Sequence, residues 1–210
     1  HRATLLAAAD ERGGADLLVN NAGVTLVGTF EENRPADVDW LLEVNLHAVI
    51  RMTRAFLPQL LARPGSHLVN MSSLFGLIAP PGQVAYVTSK YAVRGFTEAL
   101  REEFRGKCYV GLVCPGFTKT DIFRGQSNAG GKGEKVINMI STDCDLMVKM
   151  IMFGIEHKQA LQIHGVDAHA MSVFGKLLPV NGSRLFSAVM KAADIDLFKE
   201  VFKDDAELAE

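Results

Sequence analysis

Cysteine is scarce in this 210-residue chain, with only Cys108, Cys114 and Cys144 and no C-x-x-C spacing among them. That argues against a disulfide framework and against a zinc cage of paired cysteines, and it makes a reducing, cytoplasmic compartment the expectation. Long apolar runs are missing too: no stretch reaches the roughly eighteen consecutive apolar residues that a membrane-spanning helix needs. Neither sign of charge dominates. The 22 basic and 24 acidic residues leave a net charge of -2, and no segment concentrates Lys and Arg into the stripe that nucleic acid requires. His157, His164 and His169 have no carboxylate or cysteine completing a ligand spacing around them, so no metal site is expected.

What is present fits one compact domain over residues 1–210: 48% hydrophobic and 22% charged residues, enough apolar material for a sizeable core. Apolar runs at 15–23, 67–71, 108–114 and 160–163 predict short buried strands. Between them, apolar residues recur at three- and four-residue steps over 35–62, 84–105 and 142–157, which predicts helices. This strand–helix alternation implies parallel strands joined by right-handed crossovers, a doubly wound α/β sheet of the Rossmann-like kind. Ligands of such sheets bind beyond the carboxyl ends of the strands, which directs attention to 20–23, Ser72 and Ser73, and 115–120.

Two further stretches stand apart. Residues 124–133 carry four glycines and no apolar pattern, which reads as a loop, either a substrate-covering lid or a plain connector. Lys132 follows a glycine pair there, but a phosphate-binding loop would need Gly at Gln126 and Ser or Thr at Gly133. Residues 183–203 form a terminal amphipathic pattern, with Leu185, Phe186, Val189, Met190, Ile195, Phe198 and Phe202 largely on one side. Packing onto the domain or a second subunit is the preferred reading of that helix, and lying on a membrane surface the lesser one.

Tyr86 and Lys90 are four residues apart in a predicted helix and share a face. An ammonium beside a phenol favours the phenolate, so Tyr86 would become a proton donor and acceptor at a carbonyl or alcohol oxygen. The spacing alone is a weak signal, since it also describes a solvated helix pair. Ser73 follows a predicted strand, where its hydroxyl would polarise the same oxygen; standing alone it would read as a turn or cap serine.

These residues belong to a longer series in a fixed order. Asn20-Asn21-Ala22-Gly23 follows a strand, Asn45 lies in the next helix, Ser72-Ser73 follows the next strand, then come Tyr86-Val-Thr-Ser-Lys90 and Pro115-Gly116-Phe117-Thr118-Lys119-Thr120. The chain resembles the short-chain dehydrogenase/reductase family from its start almost to its tail. That resemblance implies hydride transfer between NAD or NADP and a secondary alcohol, ketone or aldehyde. Tyr86 would be the general acid/base, Ser73 would orient the substrate oxygen, and Lys90 would lower the Tyr86 pKa and hold the nicotinamide ribose. Asn45, through its main-chain carbonyl, would hold a water that links Lys90 to solvent. Asn21, Ala22 and Gly23 would lie along the adenosine-side ribose, and Pro115, Gly116, Thr118 and Thr120 would hold the nicotinamide ring.

Apolar segments around 75–81 and 139–153 suggest a lipophilic small-molecule substrate. Family members assemble through the helices that here span 35–62 and 84–105, so a homo-oligomer is compatible with the sequence. The chain departs from the family at its front. The strand and glycine-rich turn that hold the cofactor pyrophosphate are missing, together with the first βαβαβ half and the residue that selects NAD or NADP. Three expectations follow: the run Leu17 to Val19 presents an unpaired apolar edge, these 210 residues alone bind dinucleotide poorly, and a leader, anchor or front segment can precede His1. The alternative reading is a truncated, non-catalytic relative that serves only in association.

Overall fold

The computed structural model describes residues 2–120, 122, 139–178 and 181–192. The glycine-rich stretch 124–133 and the end of the terminal amphipathic pattern, 193–203, lie outside the described residues.

Helix α1 (Arg2–Asp10) leads to β1 (Leu17–Asn20), α2 (Pro35–Leu42), a π-helical turn (Glu43–His47) and α3 (Ala48–Leu61). Then come β2 (His67–Met71), a 3-10 turn (Leu74–Gly76), α4 (Val84–Glu103) and β3 (Tyr109–Pro115). The order closes with α5 (Cys144–Glu156), β4 (Leu161–His164), α6 (Val166–Leu177) and α7 (Asn181–Ala192). The four strands form a parallel sheet in the order β1-β2-β3-β4. Sequential parallel neighbours require every connection to cross over through a helix, as the alternating pattern implies.

Strand alternation sorts the core between the two faces of the sheet. On one face Leu68 and Val110 pack with Leu60 of α3, while Leu112 and Cys114 pack with Val49 of α3 and Val93 of α4. On the other face Val69 and Val113 meet Ile155 of α5. Helices therefore cover both faces, which is why the middles of β2 and β3 are buried and β3 is largely apolar.

Strand β1 pairs only with β2 among the described residues, and Leu17 and Val19 are about two-fifths exposed along it. The expected apolar edge is present. Asn20 and Asn70 close the carboxyl ends of β1 and β2 with a buried polar ladder. Asn20 donates to Asn70 at 2.7 Å and to Thr53 at 3.0 Å, and Asn70 donates to Thr97 at 2.9 Å. Each buried amide is thereby satisfied, and the ladder ties β1 and β2 to α3 and α4 just below the site.

The pattern over 35–62 predicts one helix, and the structure divides it. Pro35 starts α2 at its first helical position, with Asp37 in the first turn pairing with Arg34. After Leu42 the chain passes through the π turn Glu43–His47 before α3 resumes. A π turn inserts one residue into the helical repeat and is enriched at functional positions; here it contains Asn45.

Candidate active site

Beyond the carboxyl ends of the strands lies a cavity of about 310 Å³. Asn21, Gly23, Ser73, Tyr86 and Lys90 line it, as do Pro115, Gly116, Thr118 and Thr120. The rest of its wall is mainly apolar, from Leu74, Phe75, Phe117, Ile122, Met147 and Ile151. Two sequence-predicted residues do not line it. Ala22 is exposed, and Asn45 is buried behind the wall.

Helix α4 delivers Tyr86 and Lys90, both almost fully buried. Phe75 packs edge-on against the Tyr86 ring, with centroids 6.3 Å apart, and itself meets Phe117 edge-on at 6.0 Å. Such T-shaped pairs hold the phenol in one orientation. Ser73 stands at the end of β2 in extended backbone and caps the 3-10 turn, its Oγ accepting from the Phe75 N–H at 3.2 Å. The cap reading of Ser73 is thus correct as far as it goes. The same hydroxyl also acts on the Tyr86 phenol, favouring its ionised form.

Burial pushes the Tyr86 phenol above its ordinary value, and the hydrogen bond with Ser73 opposes that rise. Lys90 Nζ lies 5.5 Å from the Tyr86 ring centroid and donates to the Met71 carbonyl at 3.1 Å. Burial lowers Lys90 itself to about 8, against a smaller influence from Cys114. Burial pushes the Cys114 thiol up to about 11, which favours its protonated form at neutral pH.

Asn45 holds the turn after β1. Its Oδ1 accepts from the Val24 N–H at 2.8 Å, its Nδ2 donates to the Val24 carbonyl at 2.8 Å, and Nδ2 also reaches Ser89 Oγ at 3.1 Å. Gly23, one residue earlier, lies so close that a Cβ there would stand 3.3 Å from Lys90 Nζ and 3.6 Å from Asn45 Oδ1. The small residue lets the turn approach the ammonium closely.

The segment after β3 is fixed from two sides. Thr118 bridges Thr142, the Lys119 N–H donates to the Thr142 carbonyl at 3.0 Å and the Thr142 N–H to the Phe117 carbonyl at 2.9 Å. From below, Asp167 at the start of α6 accepts from the Phe117 N–H at 2.6 Å. A Cβ at Gly116 would run into the Asp167 carboxylate, so glycine is required for this close packing. Asp167 and Gln83, which also lines the cavity, were not singled out from the sequence. Only three-dimensional packing brings them to the site, and no motif announces either.

Among the described residues there is no grouping of three or more His, Cys, Asp and Glu suited to a metal, and no helix long and apolar enough to cross a membrane.

Comparison with known proteins places this architecture. The family model described as short chain dehydrogenase matches residues 1–131. SadH of Mycobacterium tuberculosis is 35% identical over 185 residues, which is 84% of this chain and 67% of SadH. A short chain dehydrogenase/reductase from Burkholderia phymatum, solved in complex with NAD, matches with a TM-score of 0.66 at 26% identity, covering 77% of this chain and 65% of that one. A short chain dehydrogenase from Burkholderia cenocepacia, solved in complex with NADP, shares the fold with a TM-score of 0.72 at 23% identity, covering 90% and 76%. With parallel strands, a cavity at their carboxyl ends and a family match over more than half its length, the chain belongs to the short-chain dehydrogenase/reductase family of oxidoreductases.

Proposed function

We propose that the protein to which this chain belongs transfers a hydride between NAD or NADP and a lipophilic secondary alcohol, ketone or aldehyde. The observation that carries this reading is the meeting of a serine hydroxyl, a phenol and a lysine ammonium in one largely apolar cavity.

The residues present fit the nicotinamide end of such a cofactor. Gly23 leaves space beside Lys90 Nζ that a side chain would fill, and Lys90 carries further N–H donors beyond the one given to Met71. Lys90 and the turn at Asn21, Ala22 and Gly23 would hold ribose hydroxyls, and Pro115, Gly116, Thr118 and Thr120 would hold the nicotinamide ring. When bound, the cofactor supplies or accepts the hydride at the substrate carbon.

Tyr86 then handles the proton at the substrate oxygen. Its raised pKa keeps the phenol protonated at neutral pH, ready to donate to a carbonyl oxygen during reduction. Ser73 donates to the same oxygen and polarises it. Oxidation needs the phenol proton removed first, and Lys90, at about 8, exchanges protons readily near neutrality. Asn45 fixes the Val24 turn with its side chain, and its main-chain carbonyl would hold the water that links Lys90 to solvent. Leu74, Phe75, Phe117 and Met147 favour an apolar substrate body and keep bulk water from the reacting atoms.

The test uses the full protein, oxidised NAD or NADP, and a lipophilic secondary alcohol deuterated at its carbinol carbon. Deuterium recovered on the nicotinamide ring supports direct transfer. Turnover with deuterium appearing only in solvent contradicts it.

A further inference from the structure

Helices α6 and α7 pack against each other as a hairpin. Its inner side is attached to the body of the domain. Ala168 and Ser172 of α6 are buried, the Asp167 carboxylate holds the Phe117 N–H, and the Ala79 N–H donates to Ser183 Oγ at 3.1 Å. The outer side is not polar, as a solvated helix face should be. Val166, Val173 and Leu177 recur at steps of seven and four, which puts them on one stripe turned away from Ala168 and Ser172. Val166 is 87% exposed and Leu177 72%. On α7, Leu185 and Val189, one turn apart, are exposed as well.

Charge on the hairpin is of one sign. From Ala168 to Ala193 the sequence holds Lys176, Arg184 and Lys191 and neither Asp nor Glu, in a chain whose net charge is -2. Lys176 and Arg184 are exposed, next to Leu177 and Leu185 respectively. An apolar stripe bordered by basic side chains suits an anionic bilayer, because the apolar groups enter the acyl boundary while the long basic side chains reach the phosphates. A second copy docked face to face about a two-fold axis would set Lys176 and Arg184 against a hairpin that offers them no carboxylate. Charge complementarity therefore favours the lipid surface over self-association.

We propose that the outer face of α6 and α7 docks on an anionic phospholipid bilayer. The contact is interfacial: no helix among the described residues is long and apolar enough to cross a membrane. This inference does not rest on hydride transfer. It bears on that reading all the same, since the hairpin holds Ala79 and Phe117, and Phe117 lines the cavity. Docking brings that cavity near the phase in which lipophilic compounds concentrate.

The test is co-sedimentation of the full protein with vesicles of phosphatidylcholine alone and of phosphatidylcholine mixed equally with phosphatidylglycerol. Two variants are compared with wild type, Leu177→Glu and the double variant Lys176→Glu/Arg184→Glu. All three positions are exposed, and thermal unfolding checks that each variant is folded. Sedimentation velocity without vesicles gives the assembly state. The expected result is binding that favours the anionic vesicles about tenfold or more, weakens with salt and falls about tenfold or more in both variants, with the assembly state unchanged. Wild-type protein that stays in the supernatant with anionic vesicles overturns the proposal, as does full binding retained by either variant. A dimer that dissociates in Leu177→Glu also overturns it, because the face then belongs to a second copy.

Discussion

The side chain of Asn45 pairs with the backbone of Val24 as a neighbouring strand would, accepting from its N–H and donating to its carbonyl, both at 2.8 Å. This reciprocal pair anchors the turn after β1 to the π-helical turn between α2 and α3. It places Gly23 against Lys90 and so defines one end of the cavity.

Replacing Asn45 with Ala leaves both Val24 groups and Ser89 without that partner. The expected loss is about 2–3 kcal/mol of stability, measured by urea unfolding, because buried polar groups left unpaired are costly. Asn45→Asp keeps the acceptor for the Val24 N–H but loses both donors, so an Asp variant as stable as wild type would show that the pairing contributes little.

Gly116 and Asp167 are coupled through close approach. Gly116→Ala should displace the carboxylate from Phe117 and cost about 1–3 kcal/mol, with weakened cofactor binding by the full protein. Adding Asp167→Ala relieves the clash, so the double variant should be more stable than the sum of the two single losses. Strict additivity in a double-mutant cycle would contradict the contact.

Lys90 gives a pH signature. Its pKa is lowered from 10.5 to about 8 by burial, so between those values the unfolded chain binds more protons than the folded one. Stability contributed at this site therefore rises as pH increases from about 8 to 10.5, and the full penalty of burying the charge applies below about 8. Lys90→Met should stabilise the protein at pH 7 by roughly 2–3 kcal/mol, and the advantage should shrink across that window. Thermal or urea unfolding of both proteins from pH 6 to 10.5 checks it. A difference that does not change with pH would show that Lys90 is not desolvated as the structure has it.

The sequence made the sheet legible because its strands are buried on both faces and stand out as apolar runs. The expected 67–71 coincides with β2, and 108–114 and 160–163 lie within a residue of β3 and β4. Helix α4 ran from 84 as expected, since Ala85, Ser89, Val93 and Thr97 form one buried face. The π turn was not legible: a single inserted residue barely disturbs the spacing of apolar positions over 35–62. Helix α6 was missed because only Ala168 and Ser172 of its residues are buried, too few to mark a face. At the site, Ser73, Tyr86 and Lys90 were found from spacing, order and family resemblance, and the structure brings them to one cavity. Their electrostatics were not legible. Burial raises the Tyr86 phenol, and that burial depends on Phe75 and Phe117, which arrive from other elements.

The most direct test of the central claim, that the Tyr86 phenol moves the proton at the substrate oxygen, is Tyr86→Phe in the full protein. Steady-state ketone reduction should fall by about 10²–10⁴ in kcat, while calorimetric affinity for the nicotinamide dinucleotide stays within a few-fold of wild type. Turnover retained within tenfold would mean that another group carries the proton, and the proposed chemistry would be wrong.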